Sequence, residues 1–287
     1  MSNIEISRVE RLDQYVIRQM PSLSRGYATK LIHRGSVRVN GEPQLKAGYK
    51  IRATDKIAIE YDENKELVIA DIELPVIYED DGCVVINKPL GLLTHSKGPF
   101  NPEPTAESWL RSRLKAKAMD GERAGIVHRL DRATSGVMIL AKTPSALSWL
   151  QKQFSQRKVK KSYVAVAEGV FKEPEAIIDM PIERNPKKPQ TFRVGSNGKS
   201  AVTAYKVLKT NDQHSLVQLK PTTGRTHQLR VHLEELGHPI LGDTFYGGRS
   251  ADRLFLHAQS LELTLPNKDR RTFEVPVPKV FAEQVKS

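Results

Sequence analysis

The chain has 287 residues, a length that suits about two domains, and with 39% hydrophobic and 27% charged residues it is too apolar for a disordered polypeptide. Its 45 Lys and Arg against 33 Asp and Glu leave a formal charge of +12, which draws a polyanion, nucleic acid foremost; a solvated basic surface is the plainer alternative. No run approaches the roughly 18 apolar residues of a membrane helix, and the opening MSNIEISRVERLDQ lacks a signal-peptide core, so a soluble, cytoplasmic protein is expected.

The first stretch reads as a compact module over residues 1–62. Leu12, Tyr15, Val16 and Gln19 trace one helical face that Pro21 stops, and Ser24 can cap a second helix carrying Ala28, Leu31 and Ile32. Gly35 suits a helix C-terminus, Val37 and Val39 alternate as a strand, Asn40-Gly41 signals a hairpin, and Ile57-Ala58-Ile59 supplies another strand. Arg18, Arg25, Lys30, Arg34 and Arg38 gather around the second helix and the strand after it, as either a phosphate-contacting face or a solvated one.

Residues 63–74, ENKELVIADIEL, start polar and show weak periodicity, so they read as a connection. From 75 to 287, β-prone runs at 84–86, 136–141, 162–167, 201–207, 216–219 and 261–265 outnumber helices. The fold class expected is α+β, with a mixed, largely antiparallel sheet. The lone cysteine, Cys83, heads the apolar stretch Cys83-Val84-Val85-Ile86 as a small hydrophobe, and one cysteine makes neither an intrachain disulfide nor a zinc cluster. Thr143 and Pro144 open a helix over 144–154 with Leu147, Leu150 and Phe154 on its apolar face. A second helix is expected over 226–237, with Leu229, Leu233 and Leu236 facing inward and Gly237 at its end.

Several chemistries are excluded by pattern. Gly198-Lys199-Ser200 looks like the end of a phosphate-binding loop, but Arg193 stands where its first glycine belongs, and Ala201-Val202-Thr203 reads as a strand rather than a helix. His227 and His232 fall about 140° apart around a helix, so they do not converge on a metal. Thr134-Ser135-Gly136 lacks the nucleophile elbow of a hydrolase. The segment from His128 to Gly136, His-Arg-Leu-Asp-Arg-Ala-Thr-Ser-Gly, is more unusual, because it places polar and basic residues between Ile126-Val127 and the apolar run 137–140. An arginine beside Asp131 would keep a partly buried carboxylate ionised; the same aspartate also suits a turn or a cap.

Those residues closely resemble the catalytic motif of the RluA-like family of pseudouridine synthases. Further segments resemble family motifs in the right order: Asn87-Lys88-Pro89 with Gly91, Lys161-Ser162-Tyr163, the run from Gly224 to Arg230 with Leu241-Gly242-Asp243 and Tyr246-Gly247, and Leu256-His257-Ala258. The N-terminal module, from Leu23-Ser24-Arg25 through Asn40-Gly41, resembles an S4 RNA-binding domain. Many relatives carry an acidic residue where this chain has Ala133, while Asp131, Thr134, Ser135 and Gly136 are in place.

The resemblance implies isomerisation of a uridine in RNA to pseudouridine, with no cofactor and no metal. Asp131 would be the essential carboxylate, and Arg225 the arginine that pairs with it. Tyr163 would stack on the flipped uracil, with removal of the C5 proton open to it as a further role. Arg129 would fill the space the base leaves, and Arg25, Lys30, Arg34 and Arg38 would contact RNA from the S4 module. The expected substrate is large-subunit ribosomal RNA, acted on by a monomer without an obligate protein partner. The alternatives are an S4-type RNA-binding assembly factor and a synthase acting on transfer RNA.

Overall fold

A computed structural model describes residues 10–61, 69–96, 103–111, 113–114 and 124–286. The chain divides into two compact units after Ala70, the second formed by Asp71–His95 and everything from Pro104 onward. The first half of the expected connection, residues 63–68, lies outside the described residues. Its described end joins the second unit, where Ile72 and Leu74 pack into an apolar cluster.

In the first unit β1 (Glu10–Arg11) leads into α1 (Leu12–Gln19) and α2 (Arg25–His33), followed by β2 (Val37–Val39), β3 (Glu42–Pro43), β4 (Lys50–Ile51) and β5 (Ile57–Ile59). Ser24 accepts the Tyr27 N–H at the start of α2. At its end the N–H groups of Gly35 and Ser36 reach back to Ile32 and Leu31, a closure that needs the left-handed φ of 78° found at Gly35. Asn40 and Gly41, both at positive φ, make the two-residue turn between β2 and β3. Leu12, Val16, Ala28, Leu31, Ile32, Val37 and Val39 close the core against this small sheet.

The second unit continues with β6 (Val76–Glu79), β7 (Cys83–Lys88), α3 (Ala106–Arg111), β8 (Ser135–Ala141), α4 (Pro144–Ser155), β9 (Lys160–Glu168) and β10 (Glu175–Asp179). After these come β11 (Ile182–Arg184), β12 (Phe192–Val194), β13 (Val202–Thr210), β14 (His214–Pro221), α5 (Gln228–Glu235), β15 (Leu256–Thr264), β16 (Arg270–Glu274) and α6 (Lys279–Glu283). Nine strands form one sheet in the order β10-β13-β14-β9-β15-β8-β7-β6, with β16 also on β15. Pairing is antiparallel throughout except between β15 and β8.

The central strands are covered on both faces, which explains their unbroken apolar runs. Val137, Ile139 and Ala141 of β8 pack with Leu150 of α4, while Met138 and Leu140 pack with Trp109 and Leu110 of α3. Cys83 lies in the α4-side cluster, where burial pushes its thiol up to about 12, so it behaves as a hydrophobe. Gly136, at φ 120°, sits where β8 meets β15. A Cβ there would fall 2.1 Å from the Ala258 carbonyl oxygen, so only glycine permits the parallel contact.

Helix α4 matches its sequence signals, with the Ala146 N–H donated to Thr143 and Pro144 in the first turn. Helix α5 starts two residues later than the sequence suggests, because His227 takes a left-handed φ of 57°. Leu229 and Leu233 are buried as expected, and Gly237 closes the helix at φ 78°. No helix among the described residues is long and apolar enough to cross a membrane.

Candidate active site

The segment before β8 turns tightly, the Thr134 N–H bonding to the Asp131 carbonyl at 3.0 Å. It is clasped by the loop after β7: Gly91 N–H bonds to the Arg132 carbonyl, and the Thr94 hydroxyl both donates to the Leu130 carbonyl and accepts its N–H. Lys88, fully buried, donates to the carbonyls of Pro89 and Leu92 and so ties that loop together. Burial lowers its ammonium to about 8, against the pull of Asp131. The turn therefore has fixed walls, and the Asp131 side chain, 21% exposed, looks into a cavity of about 130 Å³.

Arg129, Asp131, Tyr163, Arg225, His227 and Arg230 line that cavity. The four catalytic and adjacent residues expected from sequence, Asp131, Tyr163, Arg225 and Arg129, are thus brought together. The pairing is different. Arg225 directs its Nε at the Ser200 carbonyl, 3.0 Å away, and makes no ion pair with Asp131. Arg230 lies beside the carboxylate instead, with Nη1 3.5 Å from Asp131 Oδ2. The reason is local: the Arg225 N–H is held by Gln228 Oε1 in the loop before α5, whereas Arg230 stands inside the helix on the face turned to the site.

Arg230 also grips Asp243 through Nε at 2.6 Å and Nη2 at 2.7 Å, a two-point contact with a fully buried carboxylate. Its guanidinium lies 4.9 Å from the Tyr246 ring centroid. One fixed cation therefore serves two carboxylates, and its charge is retained because both hold its pKa up against burial. Gln228 braces the same helix end by accepting from Thr223 and donating to Thr203 and the Val202 carbonyl.

Across the cavity, Tyr163 on β9 packs between the clusters on either side. Burial, with the charge of Asp131 added, raises its phenol above the ordinary tyrosine value, so it meets a substrate as a neutral ring and hydroxyl. Arg129 is exposed and borders this cavity as well as an adjoining one of about 420 Å³, where Phe154, Arg157 and Lys161 also lie. Lys161 donates to the Thr223 carbonyl, and burial lowers it to about 8.

In the N-terminal unit Arg25 pairs with buried Asp13 and Arg38 with Glu60, both at the cost of reach toward a ligand. Lys30 and Arg34 are exposed, with no side-chain partner among the described residues. Lys88, His227, Arg230, Asp243 and Tyr246 acquire roles only in three dimensions. The signal for Arg230 was its setting in Leu229-Arg230-Val231, since an arginine between two inward-facing residues must find a buried acid.

The RNA pseudouridylate synthase family matches residues 82–235, and the S4 domain matches residues 10–57. An uncharacterized RNA pseudouridine synthase of Aquifex aeolicus is 39% identical, over 84% of this chain and 78% of its own. The ribosomal large subunit pseudouridine synthase D of Escherichia coli is 35% identical, over 96% of this chain and 90% of its own; synthase C of Vibrio parahaemolyticus is 35% identical, over 91% and 86%. Among solved structures, the human RNA pseudouridylate synthase domain containing 1 superposes with a TM-score of 0.59 at 29% identity, covering 75% of this chain and 86% of its own. With the sheet, the catalytic-type turn and both domain matches in place, the chain belongs to the RNA pseudouridylate synthase family, of RluA type with an N-terminal S4 domain.

Proposed function

We propose that this enzyme converts uridines of large-subunit ribosomal RNA to pseudouridine, with Asp131 as the essential carboxylate. The observation that carries the reading is the Asp131 side chain in a cavity beside Arg230, a cation itself fixed by Asp243. The substrate class rests on the names of the relatives C and D, which match over most of their length.

The reaction is an isomerisation: the N1–C1′ bond breaks, the uracil turns, a C5–C1′ bond forms, and the C5 proton is released as N1 regains one. No group donor or redox step is required. Asp131 supplies an oxygen at the sugar, as nucleophile or as base. A stacked base cannot enter a cavity of this kind, so the uridine is extruded at a cost of about a few kcal/mol. Arg129 at the rim offsets part of that cost by stacking in the vacated space. Tyr163 offers the uracil a neutral aromatic face.

Carbodiimide treatment and primer extension on RNA from cells lacking the protein, restored with wild type or Asp131→Ala, test the reading. Large-subunit stops returning only with wild type support it. Stops confined to transfer RNA would reassign the substrate, and an unchanged map would leave an RNA-binding assembly role.

A further inference from the structure

His227 stands at the mouth of α5 with each ring nitrogen engaged. Nδ1 lies 2.8 Å from the Tyr246 hydroxyl, and Nε2 lies 3.7 Å from Asp131 Oδ2. The Tyr246 oxygen already accepts the Phe192 N–H at 2.9 Å. Among the described residues its own proton then has one acceptor at hydrogen-bond distance, His227 Nδ1. The opposite arrangement, Nδ1–H donating to the phenol, would leave the proton of a buried hydroxyl without an acceptor. The network therefore fixes the neutral ring with its hydrogen on Nε2, aimed at the carboxylate. The Phe192 and Tyr246 rings meet His227 edge to face and hold its plane.

Arg230 Nη1 and His227 Nε2 make their closest approach to the same carboxylate oxygen, Oδ2, at 3.5 and 3.7 Å. Oδ1 accepts no hydrogen bond among the described residues. Resting on Asp131 as the catalytic carboxylate, we propose that His227 is a positioning residue: the Tyr246 hydroxyl sets its Nε2–H tautomer, which with Arg230 anchors Oδ2 and leaves Oδ1 as the oxygen presented to the ribose. Contacts of this length tighten when substrate closes the site. The left-handed φ of 57° at His227, uncommon for a non-glycine residue, is the strain that brings the ring into place.

Two isosteric substitutions separate this role from a purely structural one. The glutamine amide nitrogen reaches the position of Nε2, and the asparagine nitrogen reaches that of Nδ1. A backbone role at left-handed φ favours asparagine, whereas the proposed role favours glutamine. The readout is tritium released from C5 of a [5-³H]uridine-labelled large-subunit transcript under single turnover, with thermal midpoints measured alongside. His227→Gln is expected within about fivefold of the wild-type rate, and His227→Asn reduced on the order of 100-fold at similar half-saturating enzyme concentration and midpoint, within the range for a lost positioning contact. Equal or higher activity for His227→Asn overturns the proposal. On the wild-type protein, ¹⁵N correlation spectra of the His227 ring should show hydrogen on Nε2; an Nδ1–H ring overturns it whatever the variants do. Asp131→Asn is the control: if it stays active, the catalytic reading falls too, whereas an inactive Asp131→Asn beside a fully active His227→Asn removes only the role given to His227.

Discussion

Arg230 is the side chain on which the site's geometry turns, because it holds buried Asp243 with one edge of its fork and faces Asp131 with another nitrogen. Replacing it with methionine leaves Asp243 buried and unpaired, which costs about 3–5 kcal/mol. Arg230→Met should therefore lower the urea midpoint sharply and abolish tritium release, and a midpoint equal to wild type would show the pair to be dispensable. Arg225→Ala should leave stability within about 0.5 kcal/mol, as for an ordinary surface change, and raise KM while sparing kcat, since its side chain reaches only a carbonyl at the rim. Asp131 was legible because its neighbours form a recognisable run, but the partner was not. Arg225 and Arg230 lie in one motif, and choosing between them depends on where α5 begins. That start is displaced by the left-handed turn at His227, a conformation that histidine tolerates better than most residues but that its mild preference does not announce.

Secondary elements were legible where burial made them uniform. Strands β7 and β8 read directly as apolar runs because each is covered on both faces, and α4 read from its cap, its proline and its periodicity. Strands β10, β11, β12 and β16 did not. They are three to five residues long and mix charged with apolar residues, and β10 depends besides on β13, which lies beyond two intervening strands. The parallel contact of β8 with β15 was equally invisible, although its requirement at Gly136 is severe. Gly136→Ala combines φ 120° with a 2.1 Å approach to backbone, whereas Gly237→Ala, at φ 78°, meets nothing within 4 Å. Gly237→Ala should cost about 1–2 kcal/mol, the ordinary penalty of left-handed backbone. Gly136→Ala should exceed about 4 kcal/mol or prevent folding, because backbone must shift. Comparable unfolding midpoints for the two variants would contradict the crossing geometry.

At the scale of the whole molecule, titration and charge govern stability and binding separately. Burial lowers His128 to about 3 and His257 to about 4, the second helped by Arg253. Both are depressed in the folded state, so between about pH 6.5 and 4 the unfolded chain binds more protons. Stability is then lost as pH falls through that window, by at most about 1.4 kcal/mol per pH unit for each histidine. Asp13, lowered by Arg11 and Arg25, adds its loss only near and below the unfolded carboxylate value of about 4. A urea midpoint that stays flat from pH 6.5 to 4.5 would argue against neutral burial. Binding draws instead on the +12 charge, but not every cation is available. Arg25 neutralises Asp13, which is only 2% exposed, and Arg38 engages Glu60, whereas Lys30 and Arg34 are exposed without a partner among the described residues. If the S4 unit grips RNA phosphates, these two carry the contact, each contributing about one unit to the slope of log affinity against log salt. Lys30→Gln with Arg34→Gln should lower that slope by about two and weaken transcript binding, with kcat at saturating RNA unchanged. Arg25→Gln should change the slope less and the melting temperature more, because it strips a partner from a buried carboxylate. An unaltered slope in the double variant would place the RNA grip elsewhere on the chain.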